Sequence, residues 1–274
     1  MREPFTLLTI VHGREQALRN QLLAVAMNTV LPTEVIIVHM NEPIKELPNL
    51  PYTVRQLCQQ SDLGLNLAAA RNYAMRHSHT ERNIFLDVDC IPSATLFEEY
   101  MVAFAGEDYL VSGRVRYLSR EQTSSLDLSG NLIENSQPDP VRSRFDQFTH
   151  ELFWTLNFGC TKQTFTKIGG FDERFSGYGA EDTDFAFAAR EQGIDILTIN
   201  ATAFHQYHPS YAPPLNHIVD ILHNADYFYN KWGKWPMEGW LKAFEERGYI
   251  AWTAAEIELL RQPTPEEIAS TLKE

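Results

Sequence analysis

Over roughly its first 115 residues the chain alternates short apolar runs with segments of helical periodicity, and this alternation restricts the fold more than any other feature. Strands that alternate with helices predict a mostly parallel sheet with helices on its faces, the α/β class. Phe5 to Val11 reads as a first strand, and Glu15 to Met27 as a helix with Leu18, Leu22 and Val25 on one face. Val35 to Val38 and Val54 to Leu57 predict two more strands, Leu65 to His77 a helix and Asn83 to Asp87 a further strand. Ser93 to Phe104 predicts a helix that Ser93 could cap, and Tyr109 to Val115 closes this half.

Residues from about Arg116 to Thr149 lack clean periodicity and are rich in Ser, Asn, Asp and Pro. A loop of that length inside a compact domain is usually functional or disordered. Thr155 to Cys160 reads as extended, Lys162 to Ile168 as a short helix ended by Gly169-Gly170, and Phe171 to Ala180 as a loop. A helix from Glu181 to Gln192 follows, with Gly193 placed as its C-terminal cap. Asp195 to Ile199 and Thr202 to His205 are extended. The tail predicts helices over Leu215 to Trp232, Met237 to Arg247 and Thr253 to Arg261, and a last one opened by Thr264-Pro265-Glu266-Glu267.

The formal net charge of −13 opposes binding to a nucleic-acid backbone, which needs clustered Lys and Arg. A small anionic ligand held through a cation fits such a chain better. Cys58, Cys90 and Cys160 have neither zinc-site nor redox-motif spacing, which points to a reducing, cytoplasmic setting. No apolar run approaches the roughly twenty residues of a membrane helix, which leaves room only for peripheral membrane contact.

The apolar run Ile84-Phe85-Leu86 ends in Asp87-Val88-Asp89. Ligands of open α/β sheets bind beyond the carboxyl ends of the strands, where two aspartates can hold a hard divalent cation. Val88 would point back to the core. Solvated turn acids are the commoner explanation of an isolated Asp-x-Asp (DXD) triplet, so a second feature must agree with it.

That feature is Gly169 through Asp184, where Glu181, Asp182 and Asp184 open a helix behind a glycine-punctuated loop centred on an aromatic residue. Acids in a first turn are stabilised by the helix dipole by roughly 0.3 to 1 kcal/mol each. One acid would serve that purpose. Three, after glycines that let backbone approach a ligand, suggest a site containing a general base.

Leu63 through Asn72, Asp87-Val88-Asp89 and Asn157 through Asp184 together carry a resemblance. The chain resembles the family-2 nucleotide-sugar glycosyltransferases of the GT-A fold. Its middle is similar to the C-terminal domain of the β-1,4-galactosyltransferases and chondroitin polymerases. The resemblance covers about residues 5–208 and implies a GT-A domain over 1–208, with a nucleotide-binding half at about 1–115 and an acceptor half at about 150–208. Residues 209–274 are then a helical extension with no counterpart in the family.

The resemblance implies roles for individual residues. His12, Gly13 and Arg14 match the nucleotide-binding turn, and Arg71, with Asp62 and Asn66 nearby, the donor-side helix. Asp89, with Asp87 and the intervening Val88, matches the acids that meet donor and Mn2+ or Mg2+. Asn157 and Gly159 match a segment beside the donor sugar; Asp182 matches the base; Glu181, Tyr178 and Gly179 match acceptor-side or sugar contacts. His208 matches a further metal ligand, and His205 stands where the family has a second ligand, a methionine. Two departures bear on the acceptor: Thr183 replaces a third consecutive acid, and Tyr178 replaces a tryptophan.

The implied activity is metal-dependent, inverting transfer of a hexose from a nucleotide-sugar donor, a UDP-sugar in first place, to a hydroxyl of a glycan or other acceptor. Galactose and N-acetylgalactosamine are favoured by the middle segment alone. Two rivals have their own marks in the sequence. A nucleotidyltransferase would need a glycine-rich basic loop after the first strand, and Val11-His12-Gly13-Arg14 is a poor one. A non-catalytic carbohydrate-binding protein would use Trp232, Trp235 and Trp240 as platforms, whereas their helical apolar neighbours favour a core role.

Overall fold

A computed structural model of the chain describes residues 3–61, 64–106 and 108–273. Its first strand, β1 (Phe5–Val11), is buried along its whole length, as is β2 (Glu34–Met40) beside it. Full burial on both faces is what unbroken apolar runs in a parallel sheet require. Helix α1 (Glu15–Val25) connects these two strands and ends two residues short of the expected Met27. Strand β3 (Thr53–Gln59) forms the edge, and helix α2 (Leu67–His77) leads to β4 (Arg82–Leu86), so that β3, β2, β1 and β4 lie parallel in that order.

Beyond β4 the sheet becomes mixed. Strand β5 (Cys90–Pro92) pairs antiparallel with a distant strand, and the chain stays extended long enough for the Ser93 amide to bond Thr202 at 2.9 Å. Helix α3 (Leu96–Ala103) therefore starts later than expected, and its N-cap is Thr95, not Ser93. Strand β6 (Leu110–Tyr117) runs into the segment that lacks periodicity, which holds helix α4 (Arg120–Ser124) and a short strand, β7 (Gln137–Pro138), on β6. Helix α4 is nucleated by a capping box: Ser119 Oγ accepts from the Gln122 amide, and Gln122 Oε1 accepts from the Ser119 amide.

Strand β8 (Asn157–Thr161) inserts antiparallel between β4 and β6, and helix α5 (Lys162–Ile168) follows with Thr161 as its cap and Gly169 in the left-handed conformation after it. Helix α6 (Glu181–Glu191) ends before Gly193, as expected. The two extended segments predicted near residue 200 form one strand, β9 (Ile196–His205), parallel to β6 and paired on its other side with β5.

Alternating side chains of the sheet feed two cores. Leu8, Ile10, Ile36, Val38, Phe85 and Phe158 meet α2, α5 and α6 on one face. Phe5, Leu7, Val11, Val35, Ile37 and Ile84 meet α1 and α3 on the other. Burial of each such side chain contributes about 1.5–3 kcal/mol, and the period of two fixes which face each residue serves.

After β9 a short strand, β10 (Ser210–Tyr211), precedes helices α7 (Ile218–Trp232) and α8 (Glu238–Glu246). The helix expected over Thr253 to Arg261 is absent. In its place strands β11 (Ile250–Trp252) and β12 (Ile257–Leu259) form an antiparallel hairpin. Thr253 and Glu256 stand at capping-box spacing, and Thr253 Oγ1 does accept from the Glu256 amide at 3.0 Å. The chain nevertheless turns back, because Ile250, Trp252, Ile257 and Leu259 then all reach the core that α7 and α8 share. Helix α9 (Pro265–Ser270) carries the expected capping box at Thr264 and Glu267, and strand β13 (Leu272–Lys273) pairs with β10.

Candidate active site

The acids after β4 sit in a tight link to β5, where the Cys90 amide donates to the Asp87 carbonyl at 2.8 Å. Gln21, buried on α1, donates its amide to the Asp87 and Cys90 carbonyls at 2.8 and 3.0 Å. Val88 is 7% exposed and packs in the core behind the turn, as expected, so the carboxylates of Asp87 and Asp89 are carried on a fixed backbone. Nothing in the hydrophobic pattern marks Gln21 for this task.

Asp89 meets the end of β9. Its carbonyl accepts from the Gln206 amide at 2.7 Å, and the buried Gln206 side chain bonds Asn20 and the Ala17 carbonyl on α1. This brings potential ligand atoms of Asp89, His205 and His208 within 4.8 Å of one another. Asp89 Oδ2 lies 3.6 Å from His208 Nε2 and 3.7 Å from Arg14 Nε. Burial pulls the pKa of His205 down to about 4, against the opposing field of Asp89, so its imidazole is neutral at pH 7. A neutral ring keeps the lone pair that a metal ligand needs. Two imidazoles and one carboxylate form a mixed nitrogen and oxygen donor set able to hold a divalent cation.

Asp87 turns the other way, to Arg71. That guanidinium, on α2 and buried, donates to Asp87 Oδ1 at 3.2 Å and to Glu181 Oε1 at 3.1 Å, while lying 5.5 Å from the Phe171 ring centre. Burial works against its charge, but Asp87, Glu181 and Asp182 outweigh that and raise its pKa. Burial raises the pKa of Asp87 despite Arg71. The next residue, Asn72, accepts from the Phe171 amide at 2.9 Å and donates to its carbonyl at 2.8 Å. Adjacent side chains of one helix thus hold the acids and the loop before them.

The acids that open α6 have separate tasks. Glu181 faces Arg71. Asp184 is withdrawn from the site, accepting from Lys231 Nζ at 3.0 Å and Trp232 Nε1 at 2.7 Å. Asp182 is half-buried, and its Oδ1 accepts from the Thr183 amide at 2.7 Å. Burial and then the neighbouring Glu181 charge push the Asp182 pKa up to about 7, against the Thr183 amide and Arg71. A carboxyl titrating there can exchange a proton near neutrality.

The loop before Asp182 is held tightly. Gly177 has φ +67°, and a Cβ there would lie 2.3 Å from the Asp220 carboxylate of α7, so only glycine fits. Gly179 and Ala180 are also left-handed, at φ +101° and +71°. Between them Tyr178, 38% exposed, stacks on His217 with ring centres 4.6 Å apart and on Trp240 at 5.7 Å. Trp232, Trp235 and Trp240 are otherwise partly buried members of the tail's packing.

At the turn after β1, His12 Nδ1 donates to the Met40 carbonyl at 2.7 Å, and the left-handed Gly13 donates its amide to Glu42 at 2.7 Å. Burial opposes ionisation of Glu42, but the Gly13 amide and His39 outweigh it and lower its pKa. Glu42 was not among the residues the sequence singled out. Asn66 caps α2, accepting from the Ala69 amide at 2.8 Å, and ties that end to the Glu173 carbonyl at 2.8 Å. Asp62 lies outside the described residues. Asn157 and Gly159 stand inside the sheet. The Asn157 amide donates to the Arg114 and Ala201 carbonyls and accepts from Tyr100 Oη, beside a register shift where a Cβ on Gly113 would come within 2.3 Å of it. A Cβ on Gly159 would meet Phe104 at 2.8 Å. Both therefore serve packing in this structure, and the side chain of Asn157 is fully committed to the sheet.

A mixed sheet with acids at its strand ends, facing a second set of acids that opens a helix, is the arrangement to set beside known proteins. The family model described as Glycosyltransferase like family 2 matches residues 32–197. The chain belongs to this family of glycosyltransferases. Chondroitin synthase of Escherichia coli is 24% identical over 264 residues, covering 78% of this chain and 38% of that protein. Validoxylamine A glucosyltransferase of Streptomyces hygroscopicus subsp. jinggangensis is 24% identical over 198 residues, 63% of this chain and 46% of that protein. The chain thus spans less than half the length of these curated relatives.

Solved structures confirm the GT-A fold. A mannosyltransferase from Pyrobaculum calidifontis in complex with GDP-Man and Mn2+ superposes with a TM-score of 0.56 at 14% identity, covering 86% of this chain and 66% of that one. TarS 1-349 of S. aureus in complex with UDP gives 0.54 at 14% identity, over 83% and 66%. Membership of a glycosyltransferase family favours that reading over a nucleotidyltransferase or a non-catalytic carbohydrate-binding protein. No helix among the described residues is long and apolar enough to cross a membrane.

Proposed function

We propose that the protein is a metal-dependent inverting glycosyltransferase that moves a hexose from a UDP-sugar to a hydroxyl of a glycan acceptor, with Asp182 as general base. Galactose or N-acetylgalactosamine is the favoured sugar, on the resemblance of residues 157–184. The observation that carries the reading is the double contact of Arg71, which places the acids after β4 and the acids of α6 on either side of one guanidinium. Donor and acceptor ends of a transfer site are thereby brought to the same strand ends.

Asp89, His205 and His208 would hold the cation, while Asp87 is turned to Arg71. Two nitrogen donors favour Mn2+ over Mg2+, which prefers an oxygen shell. The cation supplies charge neutralisation on the departing nucleoside diphosphate. Arg71 holds the Asp87 and Glu181 carboxylates on either side of its guanidinium. Asp182 receives the proton of the acceptor hydroxyl at its free oxygen, since Oδ1 is held by Thr183. The Tyr178 ring with its partners His217 and Trp240 gives an apolar wall beside the base, suited to the face of an acceptor sugar.

The deciding experiment is Asp182→Asn. UDP affinity in the presence of Mn2+, measured by calorimetry, should stay within about twofold, while UDP release from UDP-galactose in the presence of a glycan acceptor falls by roughly 10²–10⁴. Transfer at the parental rate removes Asp182 from the mechanism.

A further inference from the structure

Besides the rings stacked on Tyr178, the tail meets the loop before Asp182 through a buried amide. Asn224, in the middle of α7 and 1% exposed, aims Nδ2 at the carbonyls of Ser176 and Gly179, each at 2.9 Å, and of Tyr178 at 3.4 Å. Its Oδ1 is buried without a hydrogen-bond partner among the described residues. The reverse orientation of the amide would set its oxygen against three carbonyl oxygens, so chemistry fixes which end faces the loop. An unpaired buried acceptor is costly, because its desolvation is not repaid. What offsets that cost is the donor end, which gathers carbonyls of a segment with little internal bonding of its own.

That segment needs external support. Gly177, Gly179 and Ala180 all have positive φ, and at Ala180 a side chain stands in the left-handed region, where its Cβ crowds the backbone. Helix α6 has no side-chain cap at Ala180. Helix α7 meanwhile holds the inner end of α6 through Lys231 and Trp232 on Asp184. Asp182 lies between these two attachments, one on the loop and one on the helix.

We infer that Asn224 is a positioning residue for Asp182, locking the 176–180 loop in the conformation that presents the base, and that the C-terminal segment is therefore part of the transfer machinery. The inference rests on the reading of Asp182 as the base. Displacing a reacting group by about 1 Å can cost on the order of 10²-fold in rate, so the effect belongs to turnover and not to donor binding.

Asn224→Asp preserves shape and removes the donors that face the loop; Asn224→Ala removes the group. Both are compared with Phe244→Leu, a change in the tail's apolar core that leaves the Asn224 amide in place. The readouts are UDP affinity in Mn2+ by calorimetry, kcat and KM for UDP release from UDP-galactose with a glycan acceptor, and Tm. The Asn224 variants should lose about 10–100-fold in kcat, keep UDP affinity within twofold, and lose more kcat per degree of Tm than Phe244→Leu. Parental kcat in either Asn224 variant overturns the inference. So does an equal kcat loss in Phe244→Leu, or unfolding of both Asn224 variants while Phe244→Leu folds, because Asn224 would then serve only the fold. A parental protein that binds no UDP and turns over no UDP-hexose overturns the transferase reading and this inference together.

Discussion

Arg71 donates to Glu181 at 3.1 Å across 110 residues of sequence. The same guanidinium donates to Asp87 at 3.2 Å. The buried Arg71 and Glu181 and the partly exposed Asp87 are thereby paired, and the buried charges would be costly without their partners. The pairing also explains why Asp87 turns from the Asp89, His205 and His208 cluster: its carboxylate is an anchor for the arginine before it is anything else.

Arg71→Met should destabilise the fold by about 3–5 kcal/mol, because it leaves the buried Glu181 and the partly buried Asp87 without their partner. Urea unfolding at pH 7 measures this, and part of the loss should return as pH is lowered, because burial already raises the pKa of Asp87 and its protonation removes one unpaired charge. A loss below about 1 kcal/mol at pH 7 would mean that water reaches these acids freely.

Asp182 predicts opposite responses of rate and stability to pH. Its pKa is raised from 3.8 to about 7. Between these values the folded chain retains a proton that the unfolded chain has released, so the contribution to stability is present below about pH 4 and is lost as pH rises through 7. The base is active only when deprotonated, so kcat should climb through about pH 7 to a plateau. Asp182→Asn removes the titration and should be more stable than the parent at pH 8, by roughly 1–4 kcal/mol, with the difference shrinking toward pH 5. Equal pH dependence of unfolding in both proteins would show that Asp182 titrates normally.

The metal cluster predicts a graded series. Asp89→Ala should abolish the effect of Mn2+ on UDP affinity, whereas His208→Ala should raise the Mn2+ concentration for half-maximal binding by about 10–100-fold. Chelation with EDTA should bring the parental protein to the Asp89→Ala level. Calorimetric titrations of UDP at stepped Mn2+ concentrations distinguish these, and identical Mn2+ curves for His208→Ala and the parent would take His208 out of the site.

What could be read from the chain depended on whether a signal was local. Phe5–Val11 and Lys162–Ile168 have the same ends in sequence and structure, because an unbroken apolar run and a Thr cap with a trailing Gly each act within a few residues. The segment near residue 253 is a hairpin and not the expected helix, because a Thr and Glu pair at this spacing can start a helix or close a hairpin, and packing on α7 and α8 decides between them. The Asp-x-Asp and Glu-Asp pairs were visible as chemistry. Their supports were not: Gln21, Glu42 and Asn224 are single polar residues whose roles arise only from carbonyls and amides brought up from elsewhere. Asn157 shows the converse, a residue conspicuous by resemblance whose amide is taken up by the sheet.

The wall of rings beside Asp182 separates acceptor from donor effects. Tyr178 touches both His217 and Trp240, so its removal exposes the inner faces of two rings without disturbing the acids of α6. Aromatic contacts of this kind contribute about 0.5–1.5 kcal/mol beyond their buried area. Tyr178→Ala should therefore raise KM for a glycan acceptor by roughly 3–10-fold, and Tyr178→Trp should restore it in part, because the larger ring supplies the same face. UDP affinity in Mn2+ should be unchanged in both. An acceptor KM insensitive to Tyr178→Ala would move the acceptor to the other flank of Asp182, toward the segment between β6 and β8, where Phe145 and Val141 are exposed.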